Sequence, residues 1–170
     1  MILPIPLSHA TMDEPQLLLT GSYDDSIRVY QPPSPYNSKP KVLAQKDIGC
    51  QGGGVWRLKF LDEPTTPKLD KLEVLHGSEY KRRFLVLACC MRVGCKILEI
   101  KELQEGEWTM EVLAKTAVHE SMNYASDILP VAIEGSTKSK VQTIVSTSFY
   151  DRLLFVWKWD PDVEAQGTFE

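Results

Sequence analysis

Three stretches of the chain share one alternation of apolar and polar positions. Thr143-Ile-Val-Ser-Thr-Ser148 reads as a short β-branched strand, Phe149-Tyr-Asp-Arg152 as a polar turn, and Leu153-Leu-Phe-Val-Trp157 as a returning strand. The pattern recurs near the start as Leu17-Leu-Leu-Thr-Gly-Ser22, Tyr23-Asp-Asp25 and Ser26-Ile-Arg-Val-Tyr30. In the middle it appears as Phe84-Leu-Val-Leu-Ala-Cys89 followed by Gly94-Cys-Lys-Ile-Leu98. Strands apolar on both faces need cover on both faces, which the stretch from Gln142 to Trp159 is expected to receive. One hairpin used three times predicts stacked repeat units.

The segments between the hairpins complete those units. Pro4, Pro6 and Pro15 punctuate the first sixteen residues, which read as the tail of a strand or loop. Lys41-Val-Leu-Ala-Gln-Lys-Asp-Ile48 alternates as a solvent-facing strand should. Gly52-Gly-Gly54 breaks the chain before Val55-Trp-Arg-Leu-Lys-Phe60, a half-buried strand with Trp56, Leu58 and Phe60 on one face. Leu61 to Arg83 reads as a long charged connection, and Trp108 to Ala117 as a further strand. His119-Glu-Ser-Met-Asn-Tyr124 opens a third unit whose first strand ends near Leu129. Units therefore fall at about 1–48, 52–117 and 119–159, with a polar tail at 160–170. The hairpin ends Tyr30, Leu98 and Trp157 lie 68 and 59 residues apart. A propeller blade takes ~40–45, the excess sitting in the loops. The expected fold is all-β: about three four-stranded blades, part of a larger ring.

Composition narrows the function classes. A length of 170 residues suits one domain or part of one, and 43% hydrophobic with 25% charged residues is ordinary for a globular chain. A net charge of −4 gives no long-range attraction to nucleic acid or anionic membranes, so neither is expected as a partner. Cys50, Cys89, Cys90 and Cys95 lack a spaced disulfide framework and read as buried small hydrophobes of a reducing, intracellular compartment. Nor do they offer paired CxxC motifs, so no metal is expected. No apolar run reaches membrane-spanning length.

The hairpins carry a recognisable spacing. Asp24 precedes Tyr30 by six residues, as Asp151 precedes Trp157. This resembles the WD-repeat β-propeller family, in which the turn Asp bonds a His before the blade and a Ser of its second strand above the aromatic. The resemblance implies a structural network of His119, Ser148, Asp151 and Trp157 in the third unit, and of Ser22, Asp24 and Tyr30 in the first. Arg92 replaces the Asp in the second. A narrower likeness rests on Gly52-Gly-Gly-Val-Trp-Arg-Leu-Lys59, Leu87-Ala-Cys-Cys-Met91, His119-Glu-Ser-Met-Asn-Tyr124 and Ser146-Thr-Ser-Phe-Tyr-Asp151. In that order these words resemble the C-terminal part of the diphthine methylesterase family, also called diphthine methyltransferase. The resemblance implies a cytosolic enzyme that hydrolyses the methyl ester of methylated diphthine on translation elongation factor 2. It implies no cofactor, and it implies further N-terminal blades that close the propeller. The alternatives are a non-catalytic WD-repeat scaffold and a truncated, inactive part of the esterase.

Ester hydrolysis needs a base, an attacking oxygen and donors for the oxyanion. His119 is the candidate base and Ser121 the candidate nucleophile or substrate contact, with Asp127 able to orient a ring nitrogen. The bland reading of His119 is the blade's own hydrogen-bond partner for Asp151. Gly53 and Gly54 can present backbone N–H groups to an oxyanion or substrate; their bland reading is a tight bend before a strand. His9 and His76 sit in polar loops. Trp56 and Trp157 are expected in packing, and Trp159 is expected to be the exposed one.

Overall fold

The computed structural model describes residues 2–5, 16–33, 39–61, 80–116, 119, 122–129 and 141–161. Among them the alternation resolves into strands without helix, in three antiparallel sheets. The first sheet runs β1 (Ile2–Ile5), β2 (Leu17–Gly21), β3 (Ser26–Gln31), β4 (Lys41–Asp47), in that order. The second runs β5 (Val55–Phe60), β6 (Tyr80–Cys90), β7 (Gly94–Leu103), β8 (Trp108–Thr116). The third holds β9 (Asn123–Ile128), β10 (Gln142–Ser148) and β11 (Leu154–Trp159), ordered β11-β10-β9. Each sheet is a meander of chain neighbours, the arrangement of propeller blades. The third sheet has three strands among the described residues where four were expected.

The connection expected to reach Arg83 ends sooner. Tyr80, Arg82 and Arg83 pair with Leu103, Glu102 and Lys101 across the ladder, so β6 begins within the charged stretch. Arg83 Nε meets Glu99 Oε1 at 2.6 Å and Arg82 Nε meets Glu102 Oε2 at 3.5 Å. Cross-strand opposite charges extend a hairpin that apolar pattern alone would end. Residues 62–79 lie outside the described residues.

Two apolar clusters flank the second sheet. Phe84, Val86, Ala88, Leu98 and Ile100 face Leu17, Leu19, Ile27 and Val29 of the first sheet. Leu85, Leu87, Cys95 and Ile97 face Ile144 and Trp159 of the third. The hairpin β6–β7 is thus covered on both faces. Among the described residues the third hairpin is covered on one face only, against expectation: Leu154 and Val156 are exposed while Ile144 and Trp159 are buried.

Two tryptophans exchange their expected places for local reasons. Trp159 is buried because the alternation of β11 turns it toward the second sheet. Trp56 is 42% exposed because a register shift between Val55 and Arg57 breaks the alternation of β5. The cysteines also depart from expectation: Cys50 and Cys90, 5.3 Å apart at Cα, are joined as a disulfide. They lie 40 residues apart in sequence, so only the fold reveals their approach. Cys89 and Cys95 stay free and buried, and burial pushes the Cys95 thiol up to about 12.

The sheets interlock at the end carrying the β2–β3, β6–β7 and β10–β11 turns. Val55 N–H donates to Ser22 C=O at 2.9 Å and Met91 N–H to Gly54 C=O at 3.3 Å. Asn123 N–H then donates to Met91 C=O at 2.9 Å, and Phe149 N–H to Met122 C=O at 3.2 Å. Each turn therefore holds a connecting segment in place through backbone bonds.

Candidate functional site

His119 lies between β8 and β9 and tucks against the buried face of β10. Its Nε2 is 2.8 Å from Ser146 Oγ, and both residues are buried. The serine in contact is Ser146 rather than the expected Ser148. The two share a strand face because side chains repeat every second residue. Ser148 is also buried, but its Oγ has no partner among the described residues, nor has His119 Nδ1. Burial pushes the His119 pKa below the ordinary imidazole value, and the carboxylate of Asp151 opposes this by a smaller amount. At neutral pH the ring is uncharged. The Ser146 hydroxyl can accept from or donate to Nε2, and Nδ1 is shielded from solvent.

Ser146 is fully buried and pairs with Ser126 of β9, so its hydroxyl serves the ring and not a substrate. Ser121 lies outside the described residues, as do His9 and His76. Asp127 does not orient a ring nitrogen. It is exposed and ion-paired with Lys59, which holds its carboxyl below the usual range. Trp157 is partly buried opposite Ile144, packed against the cluster that contains Trp159.

The glycine loop is held from the neighbouring sheet. Asp25, in the left-handed region at φ 63°, accepts from Gly52 N–H at 2.7 Å and from Gly54 N–H at 2.8 Å. Gly53 N–H donates to Cys50 C=O at 3.1 Å. The N–H groups of Gly53 and Gly54 are therefore already engaged, and an oxyanion would have to displace these bonds. Gly54 is at φ +72°, and a Cβ there would sit 2.7 Å from Tyr23 Cα, so only glycine fits the close approach. Below the loop, Lys96 donates to the carbonyls of Ile48 and Gly49, and burial lowers its pKa.

Sequence reasoning missed Asp25 as the grip on this loop. Its only signal was the Asp24-Asp25 pair in a turn. The two carboxylates divide the work: Asp24 stays within its own hairpin, bonded to Ser26 N–H at 3.1 Å and to the Arg28 guanidinium, while Asp25 reaches the next sheet. The Arg28 pairing holds the Asp24 carboxyl far below the usual carboxylate range. Tyr30, expected beneath Asp24, pairs with Leu18 on the neighbouring strand.

Comparison with known proteins gives one relative of note. The chain is 28% identical over 152 residues to diphthine methyltransferase of Saccharomyces cerevisiae, covering 85% of this chain and 33% of that protein. It thus spans about a third of the length of the relative it matches. This supports the likeness to the diphthine methylesterase family drawn from the glycine and histidine words. No protein-family profile matches the chain, and no solved structure does.

Proposed function

We propose that this chain forms part of a cytoplasmic WD-repeat hydrolase of diphthamide biosynthesis, which removes the methyl ester of methylated diphthine on translation elongation factor 2. The observation that carries this reading is the match to diphthine methyltransferase across 152 residues, which includes the segment around His119. In the reaction, the oxygen of a water adds to the ester carbonyl while its proton passes to the His119 imidazole, and methoxide departs with a proton as methanol; where Ser121 Oγ attacks first, a water then hydrolyses the acyl-enzyme. The carboxylate remains on the protein. Ser146 holds the ring in place. Ser121, two residues from His119, is the proposed nucleophile or substrate contact.

A second reading is a non-catalytic scaffold. It is favoured by the burial of Ser146, since a His–Ser bond sealed inside a blade also serves folding alone. Mass spectrometry of ester-bearing elongation factor 2 incubated with the protein separates the two. Loss of the ester methyl, with methanol released, is the expected result; an ester left intact overturns the hydrolase reading.

A further inference from the structure

Five aromatic side chains at the turn end form one exposed belt across all three sheets. Tyr23 meets Trp56 with ring centroids 6.1 Å apart, Trp56 meets Tyr124 at 6.3 Å, Tyr124 meets Phe149 at 5.6 Å and Phe149 meets Tyr150 at 5.1 Å. These rings are between 41% and 68% exposed. They are placed by the same backbone bonds that lock the turns, and Trp56 Nε1 donates to Gly53 C=O at 3.0 Å. The belt is therefore preorganised, which lowers the entropic cost of binding. Contiguous exposed aromatics on a rigid frame mark interaction surfaces, where Trp, Tyr and Arg supply most of the affinity.

The charges beside the belt define the partner. Asp24 is paired with Arg28, Asp25 with the glycine loop, and Asp127 with Lys59. Arg57, Arg92 and Arg152 are exposed; Arg57 helps hold the Asp127 carboxyl below its usual range, and Arg92 and Arg152 form no salt bridge among the described residues. Arg92 Nη1 reaches a backbone oxygen, Gln51 C=O at 3.4 Å. The belt is thus aromatic surface with the guanidinium groups of Arg92 and Arg152 along it, and the exposed carboxylate of Asp151, which acts on His119, lies between Tyr150 and Arg152. A single-stranded nucleic acid could stack on such rings, but a chain of net charge −4 lacks the field that gathers phosphates.

We propose that the belt docks a partner protein through a surface that presents carboxylates among apolar side chains. The inference deepens the hydrolase reading and rests on it for the partner's name: the docked protein is the substrate protein, elongation factor 2. Phe149 is bonded to Met122, three residues from His119, so docking here brings the partner to the end of the molecule that carries the candidate base.

The test is calorimetric titration of purified elongation factor 2 into the full chain and its variants. Trp56→Ala, Phe149→Ala and Arg92→Glu should each raise Kd about tenfold, with unchanged circular dichroism. The effect of Arg92→Glu should shrink as salt rises. Leu154→Ser, on the open face of the third sheet, should leave Kd unchanged. Equal Kd for all the variants overturns the inference, as does absence of binding to the wild-type chain. So does binding of a single-stranded RNA oligonucleotide with the same variant sensitivity. The methyl-ester measurement decides the hydrolase reading independently, because it reads chemistry and not affinity.

Discussion

The second and third sheets are built on the same hairpin, yet among the described residues one is closed on both faces and the other on one. In β6 both faces are apolar, Phe84, Val86 and Ala88 toward the first sheet and Leu85 and Leu87 toward the third. In β10 the inward positions are Ile144, Ser146 and Ser148, and the outward side of the neighbouring β11 carries exposed Leu154 and Val156. The second sheet spends its residues on packing. The third gives up buried apolar surface for a hydroxyl, Ser146 Oγ, that meets His119, and leaves polar atoms such as Ser148 Oγ and His119 Nδ1 unpaired among the described residues. The sheet that carries His119 is thus less completely packed than the sheet beside it.

The largest expected consequence lies in the second sheet. Phe84 is 1% exposed between Phe60 and Trp108, so Phe84→Ala should cost about 3–5 kcal/mol, measured by urea unfolding. Asp25→Ala comes next. It strands the two N–H groups of the glycine loop and should cost about 1–3 kcal/mol in the same measurement. If Asp25→Ala melts like the wild type, the grip between the first two sheets carries no stability.

The third sheet should respond to pH near neutrality through His119. His119 has its pKa lowered in the fold by burial, so the unfolded chain binds a proton more readily. Its stabilising contribution is fully present above the unfolded value of ~6.5 and declines as pH falls below it. The urea midpoint should therefore drop on acidification, and His119→Gln should flatten that drop. The smallest effect belongs to the open face: Leu154→Ser, 63% exposed, should change stability by less than about 0.5 kcal/mol.

Much of the architecture was legible because strands carry a period of two. Val55 to Phe60 was read at its observed limits, and each hairpin was placed within a few residues. What the pattern could not show were contacts between units. The bulge that exposes Trp56, the reach of Asp25 to Gly52 and Gly54, and the approach of Cys50 to Cys90 all depend on how one sheet lies against the next. At the candidate site the sequence picked out His119 but assigned its serine one repeat too late. Ser146 and Ser148 are indistinguishable by period, and only the depth of the histidine along β10 separates them.

His119, held against the third sheet, is the base proposed for the ester hydrolysis. The most direct test is the rate of methanol release from ester-bearing elongation factor 2 by the wild-type protein and His119→Gln, with circular dichroism confirming that both fold. Loss of a positioned general base should slow release about 10²–10⁴-fold. Release at the wild-type rate from a folded His119→Gln protein would contradict the claim and leave that histidine a structural part of its blade.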